Sequence, residues 1–211
     1  MIKFESVFLK YVNEFYALYN FNCEIKSHTL FVGDETNASY AIMRTLSKID
    51  KNYEGNIFVD SNNLRELKDK DLSVAYLPEK PVLFKHKSIQ YNLSFPLKIR
   101  KINKKTIKNN VNSLFLQYKL NNFNKKIKKL SLSEQKIIAL LRTLIRQPKY
   151  VLIENFFENF DDNYLDLTLK ILNVLKQKSI IIACEKDESN IKHFNNFKTI
   201  NLNSTTKKKE D

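Results

Sequence analysis

The sequence predicts an α/β fold: a mainly parallel sheet flanked by helices, with an antiparallel β edge and an inserted helical subdomain. Three observations carry this expectation. YVLIE (150–154) and SIIIAC (179–184) are unbroken apolar runs of strand length, the pattern of parallel strands covered on both faces. DDNYLDLTLKILNVLKQ lies between them with helical periodicity, so a right-handed β-α-β crossover is the natural connection. Finally, the chain from about Phe84 to Lys129 turns strongly basic and helical, which reads as an insertion between strands.

Each element has its own warrant. IKFESVFL (2–9) and YALYNFNCEI (16–25) read as edge strands, and HTLFV (28–32) as a buried strand leading into Gly33. A helix over about Asn37 to Lys48 follows from Ala41, Ile42 and Leu46 at helical spacing. SVAYLP (73–78) is a short strand stopped by Pro78 and Pro81, and Pro96 punctuates the region after it. Ile107, Val111, Leu114 and Phe115 form one stripe on a helix that Asn103 can cap. Ser131 and Glu134 make S-x-x-E ahead of a run from Ile137 to Ile145, the mark of a capping box opening an amphipathic helix that stops before Pro148. The end, NSTTKKKED, is polar and reads as disordered.

Composition narrows the function classes. The 211 residues suit one α/β domain, alone or with a small inserted subdomain, and a 43% hydrophobic share fits a folded chain. No apolar stretch approaches the roughly 18–20 residues that a bilayer crossing needs, and MIKFESVFLKYVNEF lacks a signal-peptide core. A cytoplasmic protein is expected. Cys23 and Cys184 form no C-x-x-C pair, which suggests neither a metal site nor a disulfide framework. The net charge of +13 suits nucleic acid, anionic headgroups or an acidic partner, or else reflects a Lys-, Asn- and Ile-rich codon bias. Only Gly33 and Gly55 occur, so no motif built on several glycines can be intact.

Strand, turn at Gly33 and helix form the setting of a phosphate-binding loop, where exposed amides and a helix N-terminus attract anions. Against the pattern G-x-x-x-x-G-K-[ST], the frame reads Gly33-Asp34-Glu35-Thr36-Asn37-Ala38-Ser39-Tyr40. Ala38 stands where the pattern has its second Gly, Ser39 where it has Lys, and Tyr40 where it has a hydroxyl residue for magnesium. Taken alone, one Gly after a strand is usually only a turn.

The second half of the chain adds a resemblance. LSLSEQKIIALLRTLIRQPKYVLIENFFENFD (130–161) resembles the signature helix and acidic strand of ABC-transporter ATPases: LSGGQ, a basic amphipathic helix, R-x-P-K, four apolar residues, Asp-Glu and a Leu-Asp loop. VAYLPEKPVLFKHKSIQYNL (74–93) is similar to the family's Q-loop segment, YEGNIFVDSNNL (53–64) to its E-G-x-I-x-x-D-G strand pair, and FPLKIRKINKKTI (95–107) to the helical subdomain of importer-type members. The likeness runs in family order across about residues 1–202. It implies a P-loop NTPase-like core over 1–84 and 134–202, a helical subdomain over 85–133 and a tail over 203–211.

What the resemblance implies for single residues is mostly departure. Tyr11 falls where the family stacks an aromatic on adenine, with a surface tyrosine the equal alternative. Gly33, Asn37, Ala38, Ser39 and Tyr40 make a degenerate nucleotide site, in which Asp34 and Glu35 add carboxylates that raise the cost of an anion. Glu79 takes the Q-loop glutamine's place and Glu154 that of the metal-side Asp; either carboxylate could meet a metal. Asn155 replaces the glutamate that polarises the attacking water, and an amide cannot take a proton. Ser131 is the retained signature serine, with a plain helix cap as the favoured local reading. Cys184 stands at the switch-histidine position, where a buried thiol is the better account. Asp161 matches the loop Asp that bridges subunits, or is a solvated turn carboxylate.

The resulting expectation is a catalytically impaired ABC-type subunit, peripheral at the inner face of the membrane, paired with an ABC ATPase subunit, a multi-span permease, or both. Any nucleotide bound would be ATP with magnesium. The alternatives are a diverged but active ATPase that energises transport, and a basic nucleic-acid-binding module using Lys98, Arg100, Lys101, Lys104, Lys105, Lys125, Lys126, Lys128 and Lys129. A solvated surface is the commoner origin of such runs, and anionic headgroups are an equal counterpart for that face.

Overall fold

The computed structural model describes residues 1–10, 16–33, 37–120, 122 and 124–203. Two compact units emerge. One comprises Met1–Tyr76, Tyr150–Asn155 and the chain from Ile180 onward; the other comprises Leu77–Lys149 and Phe156–Ser179.

The first unit starts with β1 (Ile2–Lys10) and β2 (Tyr16–Ile25), followed by β3 (Thr29–Val32), α1 (Ala38–Leu46), β4 (Glu54–Val59), β5 (Asn62–Asn63) and β6 (Val74–Leu77), whose last residue belongs to the second unit. An antiparallel sheet runs β2-β1-β4-β5. β1 pairs on both sides, with Ile2 opposite Ile25 and Val59, so the first strand is an inner one and not the edge that its sequence suggests. Its pairing with β4 breaks register between Glu5 and Phe8, where Ser6 takes φ 45°. Gly55 faces this bulge at φ 81°, and a Cβ there would sit 2.1 Å from the Ser6 carbonyl oxygen. Only glycine fits so close a backbone approach.

The second unit holds α2 (Ile89–Ile99), α3 (Lys104–Gln117) and α4 (Leu132–Arg146). The Ser88 hydroxyl caps α2 by accepting from the Tyr91 amide at 3.1 Å, and the helix continues through Pro96 instead of ending before it. Asn103 Oδ1 caps α3 by accepting from the Thr106 amide at 2.8 Å, and the stripe Ile107, Val111, Leu114 and Phe115 is the buried face of that helix. α4 opens with the expected capping box and ends at Gln147, whose φ of 53° turns the chain into Pro148. The chain then returns to the first unit as β7 (Tyr150–Glu154), re-enters the second as α5 (Leu165–Lys176), and finishes in the first with β8 (Ile180–Cys184), the single turn α6 (Glu188–Ile191) and β9 (Lys198–Asn201).

The second sheet runs β6-β7-β8-β3-β9. β7 and β3 both pair parallel to β8, and β9 pairs parallel to β3. Every residue of β7 is buried, as its unbroken apolar run requires. The core of the first unit joins Phe4, Phe21, Phe31, Ile42, Met43, Leu46, Tyr150, Leu152 and Ile182, so α1 contributes its apolar face to it. At about 25 cal/mol per Å² of apolar surface, each such side chain contributes roughly 1.5–3 kcal/mol.

Candidate functional site

In an open α/β sheet, ligands meet the protein outside the carboxyl ends of the parallel strands. Register fixes which residues stand there. Glu154 of β7, Cys184 of β8 and Phe31 of β3 share one row, and Val32 lies opposite Asn201 in the next.

Gly33 leaves β3 at φ 65°, and a Cβ on it would lie 2.5 Å from Asn201 Oδ1 and 3.1 Å from Asn203 Cγ. The space beside this glycine is thus taken by two asparagines of the C-terminal strand region. Asn37 enters α1 in the left-handed conformation without a side-chain cap, Ala38 and Ser39 are buried in the first turn, and Tyr40 is 37% exposed. Among the described residues of that turn none is basic. Arg44, the one cation of α1, is engaged elsewhere: its Nε and Nη2 donate to Asp50 at 2.7 and 2.8 Å, and its guanidinium lies 5.2 Å from the centre of the Tyr40 ring.

At the end of β7 the Tyr76 hydroxyl donates to Glu154 Oε2. Burial first, then the bond and charge of Glu154, push the Tyr76 phenol far above its ordinary value, and Tyr40 and Cys184 are close enough to add to the shift. The phenol is therefore a proton donor throughout the physiological range. Tyr76 is a site residue that sequence reasoning passed over, because a tyrosine inside a short apolar strand looks like core. Cys184, 4% exposed, belongs to the apolar core of this unit.

Asn155 follows with φ 43°, in the left-handed region that asparagine tolerates better than other non-glycine residues. Its amide donates to the Cys184 carbonyl and its Oδ1 accepts from the Lys186 amide, both at 2.9 Å. At 2% exposure, this side chain closes the backbone where β7 and β8 end.

Glu79, Ser131 and Asp161 belong to the second unit. Glu79 is half-buried. Ser131 Oγ accepts from the Glu134 amide at 3.2 Å while Glu134 Oε2 accepts from the Ser131 amide at 2.7 Å, so this serine is committed to a helix cap. Asp161 Oδ1 accepts from the Asn163 amide at 3.0 Å, and the Asp161 amide donates to Ser133 Oγ at 2.9 Å. Lys136, 1% exposed, donates from Nζ to the carbonyls of Phe156 and Glu158 at 2.8 and 2.6 Å, fixing the start of the same loop to α4. A lysine on the apolar face of that helix was the available signal for it. Tyr11, Asp34, Glu35 and the tail from 204 onward lie outside the described residues.

Among the described residues no three His, Cys, Asp or Glu side chains gather as metal ligands, and no helix is long and apolar enough to cross a membrane.

The family model described as ABC transporter matches residues 27–157. A protein of Chlorella vulgaris named "Probable sulfate/thiosulfate import ATP-binding protein" is 28% identical over 155 residues, covering 72% of this chain and 66% of that one. The molybdate/tungstate import ATP-binding protein of Thermococcus kodakarensis is 28% identical over 142 residues, covering 67% and 43%. The chain thus spans between about two fifths and two thirds of these relatives' lengths. Among solved structures, the ATP-binding cassette MJ0796, a dimer bound to ADP and Pi, superposes with a TM-score of 0.77 at 19% identity, covering 92% of this chain and 91% of that one.

Proposed function

We propose that this chain, which belongs to the ABC transporter family, acts as a catalytically impaired ATP-binding-type subunit, contributing shape and contacts to a transport complex alongside a competent ATPase subunit or a multi-span permease. Its place would be the cytoplasmic face of the membrane. The relatives' names, import ATP-binding proteins, support the transport setting.

The observation that carries the reading is Asn155. A residue that must activate water needs a side chain free to take a proton. Asn155 has an amide in place of a carboxylate, and its oxygen is already occupied by the Lys186 amide. The neighbouring positions support the same conclusion. Ser39 supplies no cation, Glu154 is engaged by Tyr76, and the asparagines at 201 and 203 crowd Gly33. These residues do not fit magnesium-ATP held through a loop lysine and a free carboxylate, so no catalytic step is assigned to them.

The test is turnover and ligand binding on the purified chain. Expected are no ATPase activity above background and no nucleotide-dependent rise in melting temperature. A site filled to 100 times its Kd would add about 2.7 kcal/mol, or on the order of 5–10 °C for a chain of this size. Turnover that follows the protein through purification and disappears in Glu154→Ala would establish the active-ATPase alternative instead. Recovery of a complete ABC ATPase or a permease with the tagged chain from its native cell supports the subunit role; a chain that recovers neither and runs alone contradicts it.

A further inference from the structure

The net positive charge of this protein arises in one segment. Residues 80–133 contain 14 Lys and Arg and no Asp or Glu, while the rest of the chain carries 22 bases against 23 acids. A codon bias toward lysine acts everywhere, so it does not account for a near-neutral remainder beside a 54-residue stretch without a single carboxylate. The segregation calls for an acidic counterpart that meets this part of the surface.

Within the segment the longest continuously exposed basic run lies at the corner between α2 and α3. Lys98, Ile99, Arg100, Lys101, Ile102, Asn103, Lys104 and Lys105 are eight consecutive exposed residues. Five are cationic, and among the described residues none of the five pairs with a carboxylate. Two are isoleucines, 65% and 38% exposed. The backbone is fixed: the Ile102 amide donates to the Leu97 carbonyl at 3.1 Å and the Lys101 amide to that of Lys98 at 2.9 Å, a closed helix end with Lys101 at φ 56°. Asn103 then caps α3. Burial first, then the nearby charge of Arg100, lower the Arg146 guanidinium below its ordinary value.

Exposed isoleucines inside a ring of lysines decide among acidic counterparts. Nucleic acid rewards cations with aromatic or polar readers of bases. An anionic bilayer rewards cations together with aliphatic side chains that enter the headgroup boundary. We propose that the α2–α3 corner, Lys98 to Lys105, is a membrane-surface contact that binds anionic lipid headgroups directly, inserting Ile99 and Ile102 between them. The contact is independent of the fate of nucleotide and of any permease.

The experiment is co-sedimentation of the full chain with vesicles of phosphatidylcholine alone or containing roughly a third phosphatidylglycerol. Expected is binding to the anionic vesicles only, weakening as salt rises. Lys101→Gln with Lys104→Gln lowers the partition by about thirtyfold, since each base near an anionic surface contributes about fivefold. Ile99→Gln lowers it by about tenfold at unchanged charge. Lys51→Gln with Lys70→Gln, exposed bases outside the segment, leaves it within about twofold. All variants alter exposed side chains, and an unchanged melting temperature confirms folding. Equal binding to neutral vesicles, no binding to anionic ones, or an Ile99→Gln variant that binds like the parent overturns the proposal. So does a single-stranded oligonucleotide that binds through Lys101 and Lys104 while the vesicles leave the protein in solution.

Discussion

Replacing Asn155 separates a structural role from a catalytic one at a single position. In Asn155→Ala the part-buried Lys186 amide loses the oxygen it reaches at 2.9 Å on Asn155, a side chain that is itself 2% exposed. Losing that hydrogen bond costs about 0.5–1.5 kcal/mol, since the amide of exposed Lys186 is then open to water. The backbone at φ 43° adds roughly 1 kcal/mol, because alanine lacks the short polar group that makes asparagine tolerable there. The sum is about 1.5–2.5 kcal/mol, which in a chain of this size lowers the melting temperature by on the order of 3–10 °C. Asn155→Asp keeps both the acceptor and the tolerance for this backbone and stays within about 1 kcal/mol of the parent. Asn155→Glu is the decisive variant. It supplies the carboxylate that the proposed reading finds missing at this position, yet its extra methylene moves the acceptor away from Lys186, so about 2 kcal/mol of destabilisation and no ATP hydrolysis are expected. Urea unfolding and a phosphate-release assay read the two quantities. An Asn155→Glu variant that is as stable as the parent and turns over ATP would refute the assignment of this residue to backbone closure.

Tyr76→Phe removes a hydrogen bond to a carboxylate and should cost about 1.5–3 kcal/mol by denaturant unfolding; a variant as stable as the parent would mean that the Glu154 contact contributes nothing. Tyr76 and Tyr150 both have phenols raised above the unfolded value, by burial first and then by Glu154 and Asp60 respectively. A raised folded value means that the native state holds the proton longer, so this stability is fully present below about pH 10 and is lost as pH climbs above it. Tyrosinate absorbance should therefore rise in two stages, with the second accompanying unfolding; a single transition of all ten tyrosines near the ordinary value would contradict the burial of these two. Gly55→Ala forces a Cβ to within 2.1 Å of the Ser6 carbonyl and should prevent stable folding at moderate temperature, whereas Gly33→Ala meets side-chain atoms that can shift and should cost about 1–3 kcal/mol. Circular dichroism melts of the two variants rank them.

The framework was legible because its signals are dense. The apolar runs of β7 and β8, the stripe on α3 and the S-x-x-E box of α4 each repeat one physical rule over many residues, and each is found where that rule places it. Single residues in long-range roles were not legible. Tyr76 meets Glu154 across 78 positions, and β9 pairs with β3 through a stretch whose alternation is too weak to mark a strand. β1 reads as an edge because its alternating pattern reports one buried face and says nothing about how many neighbours share its hydrogen bonds.

The same reasoning weakens inference from a retained motif residue. Ser131 matches the signature serine that the resemblance implies, but the cap it forms with Glu134 is by itself worth about 1 kcal/mol, enough to keep a serine there with no ligand present. Asp161 and Asn155 likewise satisfy backbone amides at 3.0 and 2.9 Å. Where a polar side chain closes a loop end, its identity is fixed by local geometry whether or not chemistry continues. The more telling positions are those where the ligand alone would set the residue type. Ser39 and Tyr40 are such positions: a lysine followed by a small hydroxyl residue there would serve a phosphate and its metal, and this chain has a serine followed by a tyrosine.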